Sequence, residues 1–212
     1  MKLYTFYTES HSVLLNNYFL PSIPKNDNLE LIVEKMPQEC ETGNYMDGGW
    51  NITMKRKVDY ILRSIDECYG DVFIHADCDI EFYKPITKDL VEQLGEYDLA
   101  GIDDGPDNIC CGFFICRAND RIKNLFQKIR TNIDSYLNDQ VALNHLKHNK
   151  ISFKFLNKLY YNVSFSIGRR WDPTIKIPYI DKNILMAHAN FTVGVDNKRK
   201  LLDEIKKVVV CP

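Results

Sequence analysis

The sequence predicts an α/β fold: a mixed, mostly parallel central sheet with flanking helices. Three observations predict it. Short apolar runs alternate with helix-period segments along the chain. Val72-Phe73-Ile74 is a continuous apolar run after Gly70, the pattern of a central strand covered on both faces. Met54, Val58, Ile61, Leu62 and Ile65 fall on one face of the preceding segment, which therefore reads as an amphipathic helix.

In chain order, Leu3 to Thr8 reads as a strand. Ser10 to Phe19 reads as a helix that stops before Pro21, which has no N–H to continue it. Leu29 to Glu34 is the next strand. Residues 37–50 form a polar, Gly-rich loop ending in Gly48-Gly49-Trp50, and Asn51 or Thr53 caps the helix that follows. Tyr97 to Ile102 and Cys110 to Cys116 are further strands, and Ile122 to Ile133 and Asp139 to Leu146 are helices. Ile151 to Phe155 is a short strand, 157–183 is irregular, Ile184 to Ala187 is a last strand and Lys198 to Val208 a last helix. No linker divides the chain, so 1–212 is read as one domain. The abrupt end at Val208-Val209-Val210-Cys211-Pro212 suggests the first domain of a longer protein.

At 212 residues the chain buries about 70% of its unfolded surface and needs no staples. Its 45% hydrophobic and 26% charged residues exclude a disordered tail, a collagen and a coiled coil. A net charge of −2 provides no general field for nucleic acid or anionic lipid. The seven cysteines show no CxxC pair, and Cys110, Cys111 and Cys116 sit in apolar runs as small hydrophobes. A reducing, cytoplasmic compartment follows, and the Asn-x-Ser/Thr matches at Asn51, Asn162 and Asn190 are then chance. Neither a signal peptide nor an apolar run of membrane-spanning length is present.

Charge is segregated: 13 acidic and 2 basic residues lie between Asp66 and Asp107, and 9 basic and 3 acidic between Arg117 and Lys158. Within the acidic stretch, the central strand runs directly into Asp77-Cys78-Asp79. In extended chain, i and i+2 side chains point the same way. Two carboxylates so placed repel one another, and a hard divalent cation relieves the repulsion. In open α/β sheets the ligand crevice lies beyond such strand ends. A phosphatase-type nucleophile would carry a Thr where Glu81 stands.

The strand, Asp-x-Asp and the following Phe82-Tyr83-Lys84-Pro85 resemble the metal motif of GT-A (Rossmann-like) glycosyltransferases, which transfer sugars from nucleotide diphosphates. Cys111-Gly112-Phe113-Phe114-Ile115 resembles their glycine-containing strand. Asn138-Asp139-Gln140-Val141-Ala142-Leu143-Asn144 is similar to a segment of the retaining enzymes. His188-Ala189-Asn190-Phe191-Thr192-Val193-Gly194 with Lys198 resembles their last metal and phosphate segment. The opening Met1 to Thr8 and the small size resemble, more narrowly, the first domain of viral, chlorella-virus capsid-glycosylating transferases.

The resemblance implies a metal site of Asp77, Asp79 and His188 holding Mn²⁺ or Mg²⁺, the imidazole favouring Mn²⁺. It implies donor contacts from Thr5, Phe6, Tyr7, Thr8, Lys57, Asp77, Cys78, Asp103, Gly112, Asn190, Gly194 and Lys198. Lys55 and Arg56 are alternatives to Lys57, and Asp104 to Asp103. Asp139 would hold the donor sugar and Gln140 would face the reacting carbon. The implied partners are a UDP-sugar donor carrying a hexose or deoxyhexose and a glycan or glycoprotein acceptor, with retention. Trp171 and Asp172 are acceptor-side candidates or core. His75 reads as a satisfied core residue. Two other readings compete: a nucleotide-sugar-forming nucleotidyltransferase, which would want a Gly-rich loop that residues 7–12 lack, and a silent nucleotide-sugar-binding module.

Overall fold

The apolar run Val72-Phe73-Ile74 lies inside a six-stranded sheet in the computed structural model, which describes residues 1–210, with Ser164 and Phe165 described by their backbone alone. Cys211 lies outside the described residues. β1 (Lys2–Tyr7) is followed by a helical stretch over 9–22 (α1), then β2 (Glu30–Lys35), α2 (Trp50–Glu67), β3 (Val72–Asp77), β4 (Ile80–Phe82), α3 (Thr87–Leu94), β5 (Leu99–Asp103) and β6 (Ile109–Arg117). α4 (Asp120–Asn132), α5 (Asp139–Leu146), β7 (Phe153–Phe155), β8 (Tyr160–Asn162), α6 (Val163–Ile167), β9 (Met186–His188) and α7 (Val195–Val210) complete the order.

The main sheet runs β2-β1-β3-β6-β5-β7, with β1 parallel to both β2 and β3. β6 is antiparallel to β3 and to β5, and β7 is parallel to β5. The expected mixed, mostly parallel sheet is therefore present. Its two faces bury separate apolar clusters. One centres on Val58, Ile61 and Ile65 of α2 with Phe114 and Phe126; the other gathers Ile74, Leu90, Phe113 and Ile115.

Five sequence expectations change. α1 continues through Pro21 to Ser22, with a wide π turn over Leu15–Phe19 just ahead of the proline; such a turn accommodates the missing N–H. α2 begins at Trp50 with Gly49 as its cap (φ 85°), not at Asn51 or Thr53, because a side chain at 49 would strike the Glu39 carbonyl. α3 was not foreseen. The stretch 157–183 contains β8 and α6. The last strand does not join the main sheet: β9 is antiparallel to β4 and parallel to β8 in a separate three-stranded sheet. Its other two strands, β4 and β8, have three residues each, too short for a pattern to be read. No helix among the described residues is long and apolar enough to cross a membrane.

Candidate functional site

β3 delivers Asp77 at its C-terminal end, and the chain turns through Cys78-Asp79 into β4. Pairing of β4 with β9 then brings a distant segment to the same spot. Ile80 stands opposite His188, and Ala189 N donates to Asp79 O at 2.9 Å. The result is a set of two carboxylates and one imidazole whose ligand atoms lie within 4.8 Å of one another.

Each of these carboxylates already faces a protein cation. Lys57, almost fully buried on α2, places Nζ 2.9 Å from Asp77 Oδ1 and 3.2 Å from Asp139 Oδ2. Lys198, from the first turn of α7, binds Asp79 Oδ2, and His188 Nε2 lies 3.1 Å from Asp79 Oδ1. Burial disfavours the charged forms, but the neighbours outweigh it. Lys57 holds Asp77 down to about 2, and Lys198 and His188 hold Asp79 well below the usual carboxylate range. Burial likewise pulls His188 down, yet Asp79 carries it up to about 10.

The donor set fits a divalent cation. Carboxylate oxygens with one imidazole suit Mn²⁺ or Mg²⁺. Gly112 on β6 keeps the space open: a Cβ there would come 2.4 Å from His188 Cε1 and 2.6 Å from Asp77 Oδ2. Lys198 and Lys57 occupy, as cations, the charge that such an ion would meet.

These groups line a cleft of about 260 Å³ together with Phe6, Tyr7, Thr8, Cys78, Asp139, Gln140, Asn190 and Gly194. Gly194 (φ 91°) adopts the left-handed backbone that turns the chain into α7. Asp139 stands at the first position of α5, 4% exposed, so it is a buried partner of Lys57 rather than a solvated dipole charge. Lys57 rather than its neighbours reaches the cleft; Lys55 pairs with Asp134 and Arg56 with Glu39 at the surface.

Two expected donor residues do not line the cleft. Thr5 points into the interior, fully buried, because β1 alternates its side chains. Asp103 turns back on its own loop, its Oδ1 accepting from Gly105 N. The neighbouring Asp104 does not line the cleft either but holds two residues that do, accepting from Gln140 Nε2 at 2.7 Å and Asn190 Nδ2 at 2.9 Å. His75 is a core residue, as read, but not a satisfied one. It packs beside the rings of Phe6 and Phe114, both its ring nitrogens lack a hydrogen-bond partner, and Nε2 lies 3.6 Å from Asp77 Oδ1. Trp171 is core, its indole N–H donating to Ile175 O, and Asp172 is exposed and caps Thr174.

The loop 37–50, whose sequence is polar and Gly-rich, supplies a wall of the cleft through Gln38, Cys40, Asn44 and Tyr45. Tyr45 meets Trp50 edge-on at 4.8 Å, and the Arg170 guanidinium sits 4.8 Å from the Tyr45 ring. Two aromatics flanking Met46-Asp47-Gly48-Gly49 were the available signal.

A family model described as nucleotide-diphospho-sugar transferase matches residues 29–202. No curated protein matches the chain. Among solved structures, the chain is similar to the glycosyltransferase GlyE of Streptococcus pneumoniae TIGR4 (14% identity, 100% of this chain and 61% of that one, TM-score 0.62). It is similar to the galactosyltransferase LgtC in complex with donor and acceptor sugar analogues (15%, 90% and 87%, 0.58). It is also similar to a glycosyltransferase involved in glycosylation of the major capsid of PBCV-1 (9%, 96% and 98%, 0.64). The chain thus spans under two thirds of GlyE. At these identities the likenesses establish the GT-A fold.

Proposed function

The chain belongs to the nucleotide-diphospho-sugar transferase family, and from that premise we propose that it moves a hexose or deoxyhexose from a UDP-sugar to a glycan or glycoprotein acceptor, with retention and with Mn²⁺ or Mg²⁺ bound. The observation that carries this reading is the meeting of Asp77, Asp79 and His188 with Lys57, Asp139 and Gln140 in one cleft.

Breaking a sugar–phosphate bond leaves negative charge on the diphosphate. A cation held by Asp77, Asp79 and His188 supplies Lewis-acid stabilisation of that charge. Lys198 and the N–H groups opening α7 after Gly194 stand beside it and favour an anion. Phe6, Tyr7 and Thr8, at the C-terminal end of β1, offer an aromatic face and polar groups to the nucleoside.

Asp139 accepts hydroxyls of the donor sugar in this reading, which its burial in the cleft wall beside Lys57 supports. Retention is supported by how the acids are used. An inverting enzyme needs a carboxylate base. Among the described residues, Asp77, Asp79 and Asp139 are each paired with a lysine, while Asp104 is taken up by two amides.

Calorimetry with UDP, with and without Mn²⁺, tests the reading. Binding is expected only with the metal, and metal-independent binding would sink it. Release of UDP from a panel of UDP-sugars separates a transferase from a binding module, which would release none.

A further inference from the structure

Asp104 follows β5 and grips two side-chain amides at once. Oδ2 accepts from Gln140 Nε2 at the head of α5, and Oδ1 accepts from Asn190 Nδ2 after β9. One carboxylate therefore ties together two walls of the cleft that are 50 residues apart in sequence. The other end of the Gln140 amide is held too, Oε1 accepting from Cys111 N at 3.1 Å. Asn190 Nδ2 also meets Cys110 Sγ at 3.7 Å, and that sulfur lies 3.6 Å from His188 Nδ1. The contacts thus run without a break from Gln140 to the Asp77, Asp79 and His188 cluster.

The turn bearing Asp104 is itself anchored by α5. Asn144 donates to Ile109 O and accepts from Ile109 N, both at 2.8 Å. Lys147 Nζ, fully buried, donates to Asp107 O at 2.7 Å. Gln140, Asn144 and Lys147 are spaced i, i+4, i+7 and share one helix face. Asp104 N closes the turn on Asn108 O at 2.8 Å. The carboxylate is therefore presented by a braced segment, not a loose one.

We propose that Asp104 is a positioning residue for sugar transfer: together with Cys111 N it fixes the orientation of the Gln140 amide, it keeps Asn190 in register with that amide, and it acts on the rate through Gln140. This rests on reading the cleft as the transfer site. The two ends of an amide are chemically opposite, one donating and one accepting. A carboxylate only accepts, so Gln140 must turn its NH₂ to Asp104 and its carbonyl the other way. Asparagine at 104 offers one acceptor to two donors and turns its own NH₂ on one of them. One of the two amides then loses its acceptor or rotates away from it.

The test uses the full chain with Mn²⁺ and whichever of UDP-glucose, UDP-galactose and UDP-N-acetylglucosamine it hydrolyses fastest. Asp104→Asn is expected to lower kcat about 10- to 100-fold, the scale of a misplaced reacting group, with donor KM and Mn²⁺ affinity unchanged. In a Gln140→Ala background the same substitution should cost no further rate. An unchanged kcat, or a loss of the same size in both backgrounds, overturns the proposal. Asp104→Ser removes the carboxylate without adding an amide and carries the same expectations if Asp104→Asn does not fold. The side-chain amide cross-peaks of Gln140, identified by their absence in Gln140→Ala, should shift in Asp104→Asn. Unmoved cross-peaks overturn the proposal even if the wild-type protein hydrolyses no UDP-sugar, a result that would separately overturn the functional reading.

Discussion

Lys198 binds the Oδ2 atom of Asp79, 119 positions away in sequence, so the proposed metal carboxylate is already neutralised by a protein cation. A divalent ion and this ammonium compete for the same oxygen. Lys198→Ala is therefore expected to tighten Mn²⁺ binding without nucleotide by roughly tenfold, the scale of one charge-assisted hydrogen bond. The same change should weaken UDP binding in the presence of Mn²⁺, because the diphosphate loses a cation. Calorimetric titrations with Mn²⁺ alone and then with UDP check both signs; weaker Mn²⁺ binding in the variant would contradict the competition.

Lys57 is the buried cation between Asp77 and Asp139. Lys57→Met leaves the buried Asp139 and the partly buried Asp77 facing one another without this counter-charge. It should destabilise the fold by about 3–5 kcal/mol, the usual cost of stranding a buried charge. Urea unfolding with circular dichroism measures this. A loss under about 1 kcal/mol would mean that the carboxylates find other partners or water.

Gly112 is fixed by space: a Cβ there would enter the contact range of both His188 and Asp77. Gly112→Ala should cost about 1–3 kcal/mol through overpacking. It should also weaken Mn²⁺ binding by roughly tenfold or more, as displaced ligands do. Manganese titration followed by electron paramagnetic resonance reads the second effect directly, and full affinity in the variant would show that the glycine serves packing alone.

Asp98, remote from the cleft, gives a stability prediction with a defined pH window. It is 1% exposed, and it accepts from Arg121, Asn119, Ser152 N and Ser152 Oγ. Burial raises its pKa, but these donors, Arg121 foremost, bring it down to about 2. A carboxylate depressed on folding stabilises the native state above its unfolded pKa, about 3.9, and loses that contribution as pH falls through the folded value. Thermal midpoints should therefore drop between roughly pH 4 and pH 2. Asp98→Asn should be less stable by about 1.5–3 kcal/mol at neutral pH, the scale of hydrogen bonds to a charged group. It should show a shallower acid slope in the same window; parallel slopes for variant and wild type would reassign the acid sensitivity elsewhere.

Sequence by itself determined the features whose cause is local. An apolar run with no polar alternation marks β3, a five-residue apolar stripe marks α2, and Asp77-Cys78-Asp79 marks the strand end where two carboxylates meet. The helix over Asp139–Leu146 was equally legible, and its cap, Asn138, whose side chain accepts from Val141 N, came only with the structure. Only the tertiary structure decided the choices that depend on which distant segment arrives. Lys55, Arg56 and Lys57 cannot be told apart by composition; the packing of α2 on the sheet buries Lys57 and leaves the other two at the surface. Asp103 and Asp104 differ by one position, and in the turn that Asp104 N closes on Asn108 O the first bonds back to its own loop and the second meets Gln140 and Asn190. His188 reaches Asp79 because two three-residue strands pair, a contact too short and too distant in sequence to leave a periodic trace. The charges of this site were visible in the chain, but their partners were fixed by folding, since each buried ion must be paired by whichever counter-charge the packing brings within reach.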